Sequence, residues 1–463
     1  MSASLAQISF DFAAKTHSLP EHILNNEGWG WDAYAGIRYG ILHVTLELRR
    51  LAAAIAEKRT LQSTPQTRVQ KLLAQHQAAF RDYQALWIGI DEELLDRTPA
   101  LGEWTLRTIF NHVHSVERYF FAHILNALDN ENPQPLNNEQ IAAIVGEPAP
   151  TGNGTLAVLW ASYSSLHERI ATRLATLNDA ELQLLSPMWE PEPVSIEFRI
   201  LRFAAHIREH TNQLEKSLWQ LERRPNEAKM LLRQLYAALA EAEGEQIGAG
   251  ELCDDLCQQS GEILKQRIAA MLAAVEQAKS FIQGVESGNV EAVRSAIAQN
   301  KGWARTEMPD GLSALVFCKY RGNAEMAGVL QSALSEFSLH EAAIVGNLEE
   351  IEAWLTYQPQ MLNSLARDGF SPLQLASFFG QPAAVRRLLA AGADIHAVSQ
   401  NQMRIQPIHA AVAAHNLEIV KTLIAAGCDV NAKQQDDFTP LMGAIQNKDE
   451  EMVKVLREAG AKG

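Results

Sequence analysis

The stretch Phe198–Leu221 reads FRILRFAAHIREHTNQLEKSLWQL. It contains no Gly or Pro, and good helix formers dominate, so it predicts one long helix. On a helix, positions four apart share a face, with Cβ atoms about 5–6 Å apart. His206 and His210 can therefore reach one divalent cation, at about 2.0–2.1 Å each for zinc. HxxxH also arises on amphipathic helices with a polar seam. A metal site needs at least a third protein ligand, which must come from elsewhere in the chain.

Working outward, four segments carry helical patterning. They are 68–95, 104–127, 155–177 and 198–222, and together they predict a four-helix bundle, a fold that builds metal sites from facing helices. Thr105 is the expected N-cap of the second segment. Within that segment His112 and His114 are two residues apart and point about 200° away from each other. At most one of them can join the HIREH pair. His123, about 16 Å further along the axis than His112, cannot join the same cation. The polar segment 129–154 is a loop with one short turn expected at 138–145. Ahead of the bundle stand a Gly/Trp turn at Gly28, Trp29, Gly30 and Trp31 and a helix from Ala33 to Lys58, and behind it a helical stretch, 225–281, broken by Gly residues at 244–250.

From about residue 282 the chain repeats itself. Successive units read VESGNVEAVRSAI, KYRGNAEMAGVL, AAIVGNLEEIEAWL, ASFFGQPAAVRRLLAAGADIHA, AAVAAHNLEIVKTLIAAGCDVNA and AIQNKDEEMVKVLREAGAKG. Their turn positions, Gly288, Gly322, Gly346, Gly380, His415 and Lys448, are spaced 34, 24, 34, 35 and 33 residues apart. DGLSALVF, DGFSPLQLA, RIQPIHAA and DFTPLMGA precede helices. A period near 33 with this wording resembles ankyrin repeats, stacked pairs of short helices. About five to six units are expected. The short spacing predicts that the unit near Leu330–Phe337 has lost its hairpin, and His415 and Lys448 stand where the turn favours Gly.

The bundle carries a second resemblance. Trp104-Thr105-Leu106-Arg107, Asn111-His112-Val113, Glu117, His206-x-x-x-His210 and the following Thr211-Asn212-Gln213-Leu214 resemble the DinB-like (DinB/YfiT) metalloprotein superfamily. That resemblance implies His112, His206 and His210 as ligands of a divalent metal, zinc or nickel above all. His114 then faces away, and Asn111, Glu117, Arg208 and Glu209 are surface or outer groups. A carboxylate or carbonyl should orient each imidazole. Three neutral imidazoles with an open position suit a catalytic site, where water or a thiolate could bind and be activated. Similar enzymes include low-molecular-weight thiol transferases, thiol-dependent isomerases and amide hydrolases, and nothing in the residues selects among them.

The expected architecture is thus all-α, in four parts: a helical extension at 1–66, a DinB-like bundle at 67–224, a helical connector at 225–281 and an ankyrin solenoid at 282–463. The extension and connector stand outside the family pattern and could cover the mouth of the bundle. Two functions follow. One is a metal-dependent enzyme of the thiol-transfer or hydrolysis class, with a low-molecular-weight thiol and a small-molecule substrate. The other is a non-catalytic adaptor whose metal only stabilises the bundle. In both, the ankyrin groove takes a protein partner, and a homodimer is left open.

Composition supports this reading. With 47% hydrophobic and 21% charged residues the chain is globular in type. Its net charge of −15 argues against nucleic-acid binding. Cys253, Cys257, Cys318 and Cys428 form no disulfide framework and no CxxC pair, which favours a reducing compartment. MSASLAQISFDFAAK lacks the pattern of a secretory leader, and no apolar run approaches about 18 residues, so a cytoplasmic location without membrane contact is expected.

Overall fold

The computed structural model describes residues 4–26, 30–31, 34–146 and 152–462. The chain divides into two compact units, with the boundary inside the helix Asp254–Glu286. Both are built from helices, and among the described residues strands occur only as two-residue pairs.

In the first unit the bundle helices are Arg68–Ala85, Leu106–Asp129, Leu156–Leu174 and Ile196–Gln220. Each starts on a hydroxyl cap, as the chemistry of exposed first-turn N–H groups favours. Thr67, Thr105, Thr155 and Ser195 accept from the backbone N–H three residues on. Ile124, Phe120, Ile170, Ile200 and Phe203 fill one end of the interior, and Phe80, Tyr83, Phe110, Tyr163 and Ile207 fill the other. The short helix Asn138–Val145 occupies the expected place in the 129–154 loop and ends on left-handed Gly146.

The first bundle helix stops ten residues short of its expected end at Leu95. After Ala85 the chain turns, and Gly89 takes a φ of +65° where a Cβ would lie 2.5 Å from His17 Nδ1. This turn swings Trp87, Leu94 and Leu95 back beneath the bundle, where all three are buried. An extended helix would have carried them into water, so burial of three large apolar side chains overrides helical propensity.

The N-terminal segment holds a helix, Leu5–Thr16, ahead of the one expected from Ala33; Ile8, Phe12 and Ala13 form its buried stripe. Gly30–Trp31 then pairs with Tyr34–Ala35. Gly28, Trp29 and Ala33, where the turn and the helix start were expected, lie outside the described residues. The helix Ile37–Leu61 packs along Glu227–Gln246, which in turn packs along the first bundle helix. Arg81 and Glu243 pair at 2.6 Å across that contact, and Arg59 donates to Gln70 at 2.8 Å. These flanking helices therefore widen the bundle on one side; they supply none of the groups found around the His112 ring.

The second unit stacks helix pairs. Five pairs run from Ala314–Tyr320 with Ala324–Ala333 to Pro440–Gln446 with Glu450–Glu458. Pro372, Pro407 and Pro440 occupy the first position of their helices, where no N–H is needed. Three residues into two of these helices, Gln374 and His409 reach the carbonyls of Ala397 and Ala432, at 3.0 and 3.1 Å, and so tie each unit to the next loop. The unit with the short spacing passes from Ala333 to the Ser338 cap in four residues, without a hairpin. His415 and Lys448 adopt the left-handed backbone of the glycines they replace, at φ +52° and +57°.

Candidate metal centre

The second and fourth bundle helices bring His112, His206 and His210 together. Nε2 of His206 lies 3.2 Å from Nε2 of His112 and 3.1 Å from Nε2 of His210. Three ligand nitrogens around a tetrahedral zinc stand about 3.3 Å apart when each bond is about 2.0–2.1 Å. The observed spacing fits that geometry. His206 and His210 are 8% and 7% exposed, whereas His112 is half-buried. Trp104, at the end of the preceding loop and 40% exposed, stands edge-on to His112 at 5.0 Å and parallel to His210 at 6.1 Å. The cluster therefore sits at the rim of the bundle, walled by Phe120 behind His206 and reached past His112 and Trp104.

The protonation states suit cation binding. Burial, then the neighbouring His210 and His112, pushes His206 down to about 3. Burial also lowers His112, ahead of the effect of His210. Both rings are neutral at pH 7 and offer lone pairs. Gln213 Oε1 lies 2.7 Å from His210 Nδ1, so that nitrogen donates and Nε2 is free to ligate. Nδ1 of His206 is buried with no hydrogen-bond partner, a departure from the expectation that every ring is oriented by an oxygen.

The other candidates fall elsewhere. His114 points into the core, 1% exposed and 5.3 Å from the Tyr163 ring, and burial pushes it down to about 4. His123 is structural: its Nδ1 donates to the Tyr119 carbonyl at 2.9 Å and its Nε2 accepts from Leu136 N–H. Arg208 and Glu209 are exposed. Glu117, expected to be a surface or outer group, is instead fully buried, 2.8 Å from Nε2 of His76. The helix turns it inward because it lies on the same stripe as Val113 and Phe120. His76 and His167, which share its site, were not singled out by the sequence. The available signal was a polar residue on an apolar stripe: His76 stands between Leu73 and Phe80, and His167 between Tyr163 and Ile170, all four of them buried.

Comparison with known proteins separates the two units. A profile of the DinB superfamily matches residues 75–214, a span that holds all four bundle helices apart from the outermost turns of the first and last. Profiles of ankyrin repeats match 368–400 and 398–463. The chain joins a DinB superfamily domain to ankyrin repeats. Curated proteins similar to it include human neurogenic locus notch homolog protein 4, 39% identical over 20% of this chain and 5% of that protein. Mouse ankyrin repeat and SOCS box protein 5 is 32% identical over 26% of this chain and 35% of its own length. Human DNA-binding protein RFXANK is 34% identical over 18% and 32%. The chain thus spans no more than about a third of these relatives. The DinB domain is the part with the histidine cluster, and the repeats supply a protein-interaction module.

Proposed function

We propose that the DinB domain holds a divalent cation, zinc or nickel, on His112, His206 and His210, and that the protein is a metal-dependent enzyme whose ankyrin repeats bind a protein partner. The observation that carries the reading is the meeting of three imidazoles on the rim of the bundle, His206 Nε2 lying 3.2 Å from Nε2 of His112 and 3.1 Å from Nε2 of His210, with one ring half-buried. A structural site closes all its positions with protein, whereas a rim site on three imidazoles leaves a side for substrate. A cation bound there supplies Lewis acidity toward a nucleophile, either water or a low-molecular-weight thiol. The chain's own residues do the rest: Gln213 sets the His210 tautomer, and Trp104 offers an exposed aromatic face for a small-molecule substrate at the entrance.

The division into a bundle at 67–224, flanking segments at 1–66 and 225–281 and a partner-binding array at 282–463 belongs to the same proposal. A net charge of −15 favours a protein over a nucleic acid as partner. Four free thiols and the absence of any described helix long and apolar enough to cross a membrane support a cytoplasmic place.

Elemental analysis of untagged protein tests the site. His206→Ala should lose one equivalent of metal relative to the wild type, and His114→Ala none. Equal metal content in the two variants would overturn the ligand set. A screen of thiol transfer and amide hydrolysis tests the chemistry, with His112→Ala as the inactive control. Metal-loaded protein that turns over neither class returns the adaptor reading.

A further inference from the structure

A second triad lies inside the same bundle. His76 from the first bundle helix, Glu117 from the second and His167 from the third are 1%, 0% and 5% exposed. One potential ligand atom from each lies within 4.8 Å of the others. The hydrogen-bond chain behind His167 defines its tautomer. Gln77 Nε2 donates to the Glu243 carboxylate at 2.5 Å, so the opposite end of that amide, Oε1, must accept from His167 Nε2, 2.6 Å away. Arg81 grips both oxygens of Glu243 and holds the chain in place. His167 Nδ1 therefore carries a lone pair, and that nitrogen is buried without a hydrogen-bond partner. Glu117 Oε2 is also buried and without a partner.

Two acceptors without donors in one dry spot are destabilising, and native interiors rarely tolerate them. A lone His76–Glu117 hydrogen bond satisfies only one oxygen and leaves both orphans in place. A cation between the three groups would satisfy both at once and balance the buried carboxylate charge. The rings are already clamped for it: His167 stacks on Phe80 at 3.7 Å and His76 on Phe203 at 4.7 Å. Phe120 packs on both Phe203 and His206, which sets an aromatic layer between this triad and the rim.

We propose that His76, Glu117 and His167 bind a second divalent cation of the zinc class, as a closed structural site that ties three bundle helices together. The ligands are Nε2 of His76, Nδ1 of His167 and the Glu117 carboxylate. A donor set of two nitrogens and one carboxylate suits zinc and its neighbours rather than calcium or magnesium. The buried hydroxyl of Tyr163 makes no hydrogen bond of good geometry but lies beside Glu117, close enough for a weak contact with its carboxylate, and is available for a fourth position. Full burial of all three ligands separates this site in kind from the rim cluster. Together the two would engage all four bundle helices.

The test uses the full chain with the rim cluster removed, His206→Ala/His210→Ala, stripped by chelator and titrated with cobalt(II). One equivalent should bind, with visible absorption bands of nitrogen–oxygen coordination, and Glu117→Gln or His167→Ala added to the double variant should abolish it. Cobalt binding at the background of buffer in the double variant, or binding that survives both additions, overturns the proposal. Should the added substitutions prevent folding, the melting temperature of the double variant decides. Zinc at about a hundredfold over Kd should raise it by about 5–10 °C, and an unchanged melt means a buried His–Glu pair without metal. Because the rim is absent from the double variant, these results are independent of the function assigned to His112, His206 and His210.

Discussion

The bundle and the repeat array reach their polar contacts in opposite ways. In the array, Gln374 and His409 each bond to a carbonyl 23 residues ahead, and the same contact recurs from one unit to the next. In the bundle, His206 meets His112 across 94 residues, His167 meets Gln77 across 90 and His76 meets Glu117 across 41. The array is nearly one-dimensional, since each unit buries its apolar face on its neighbours alone. The bundle concentrates its titratable groups where four distant helices converge. Damage should therefore spread through the bundle and stay local in the array.

The largest expected effect is at Glu117. Glu117→Ala leaves His76 Nε2 buried without its hydrogen-bond partner and opens a cavity in the core, which together cost about 3–5 kcal/mol. Urea denaturation of chelated protein measures it, with His112→Ala at the rim as the comparison. A rim substitution as costly as the core one would erase the distinction between the two clusters. Acidification comes next. Burial holds His114 at about 4, below the ordinary 6.5, so the unfolded chain takes up the proton first as pH falls. Stability present above pH 6.5 is lost between 6.5 and 4, by about 3 kcal/mol from this group. His114→Leu should flatten the pH dependence over that window by about one proton, and an unchanged slope would exclude His114 as its source.

In the array the effects are smaller. His409→Ala removes bonds to Gln406 N–H and the Ala432 carbonyl, for a loss of about 2 kcal/mol. Hydrogen exchange should show the loss confined to the flanking units; loss of protection across the whole array would contradict its one-dimensional character. Smallest of all, Lys448→Gly should stabilise by about 0.5–1 kcal/mol, because a left-handed residue at φ +57° no longer carries a Cβ. A melt that falls would show that the Lys448 side chain contributes more than its backbone strain removes.

Much of this was legible from local pattern. The 33-residue period announces the array, including the shortened unit, because a repeat is written in adjacent residues. The four bundle helices follow from their apolar stripes, and the start of the second from its Thr105 cap. His206 and His210 stand out through their i, i+4 spacing, and His112 through a family resemblance rather than geometry. Glu117 was misplaced and His76 and His167 passed over, since each is a solitary polar residue whose partners lie on other helices. The end of the first bundle helix was overextended because its propensity continues past Ala85 while the core does not.

By itself, the amino-acid order determined the helices, their caps, the repeat and the face each histidine shares with its neighbours four positions away. These depend on backbone geometry and on contacts within a turn or a unit. Only the tertiary structure decided which stripes face one another, and hence that one set of imidazoles meets at the rim and another closes around Glu117 in the interior. The reason is physical: a side chain's address on its own helix follows from a 3.6-residue period, but its neighbours across the core follow from how four helices pack, which no single segment encodes.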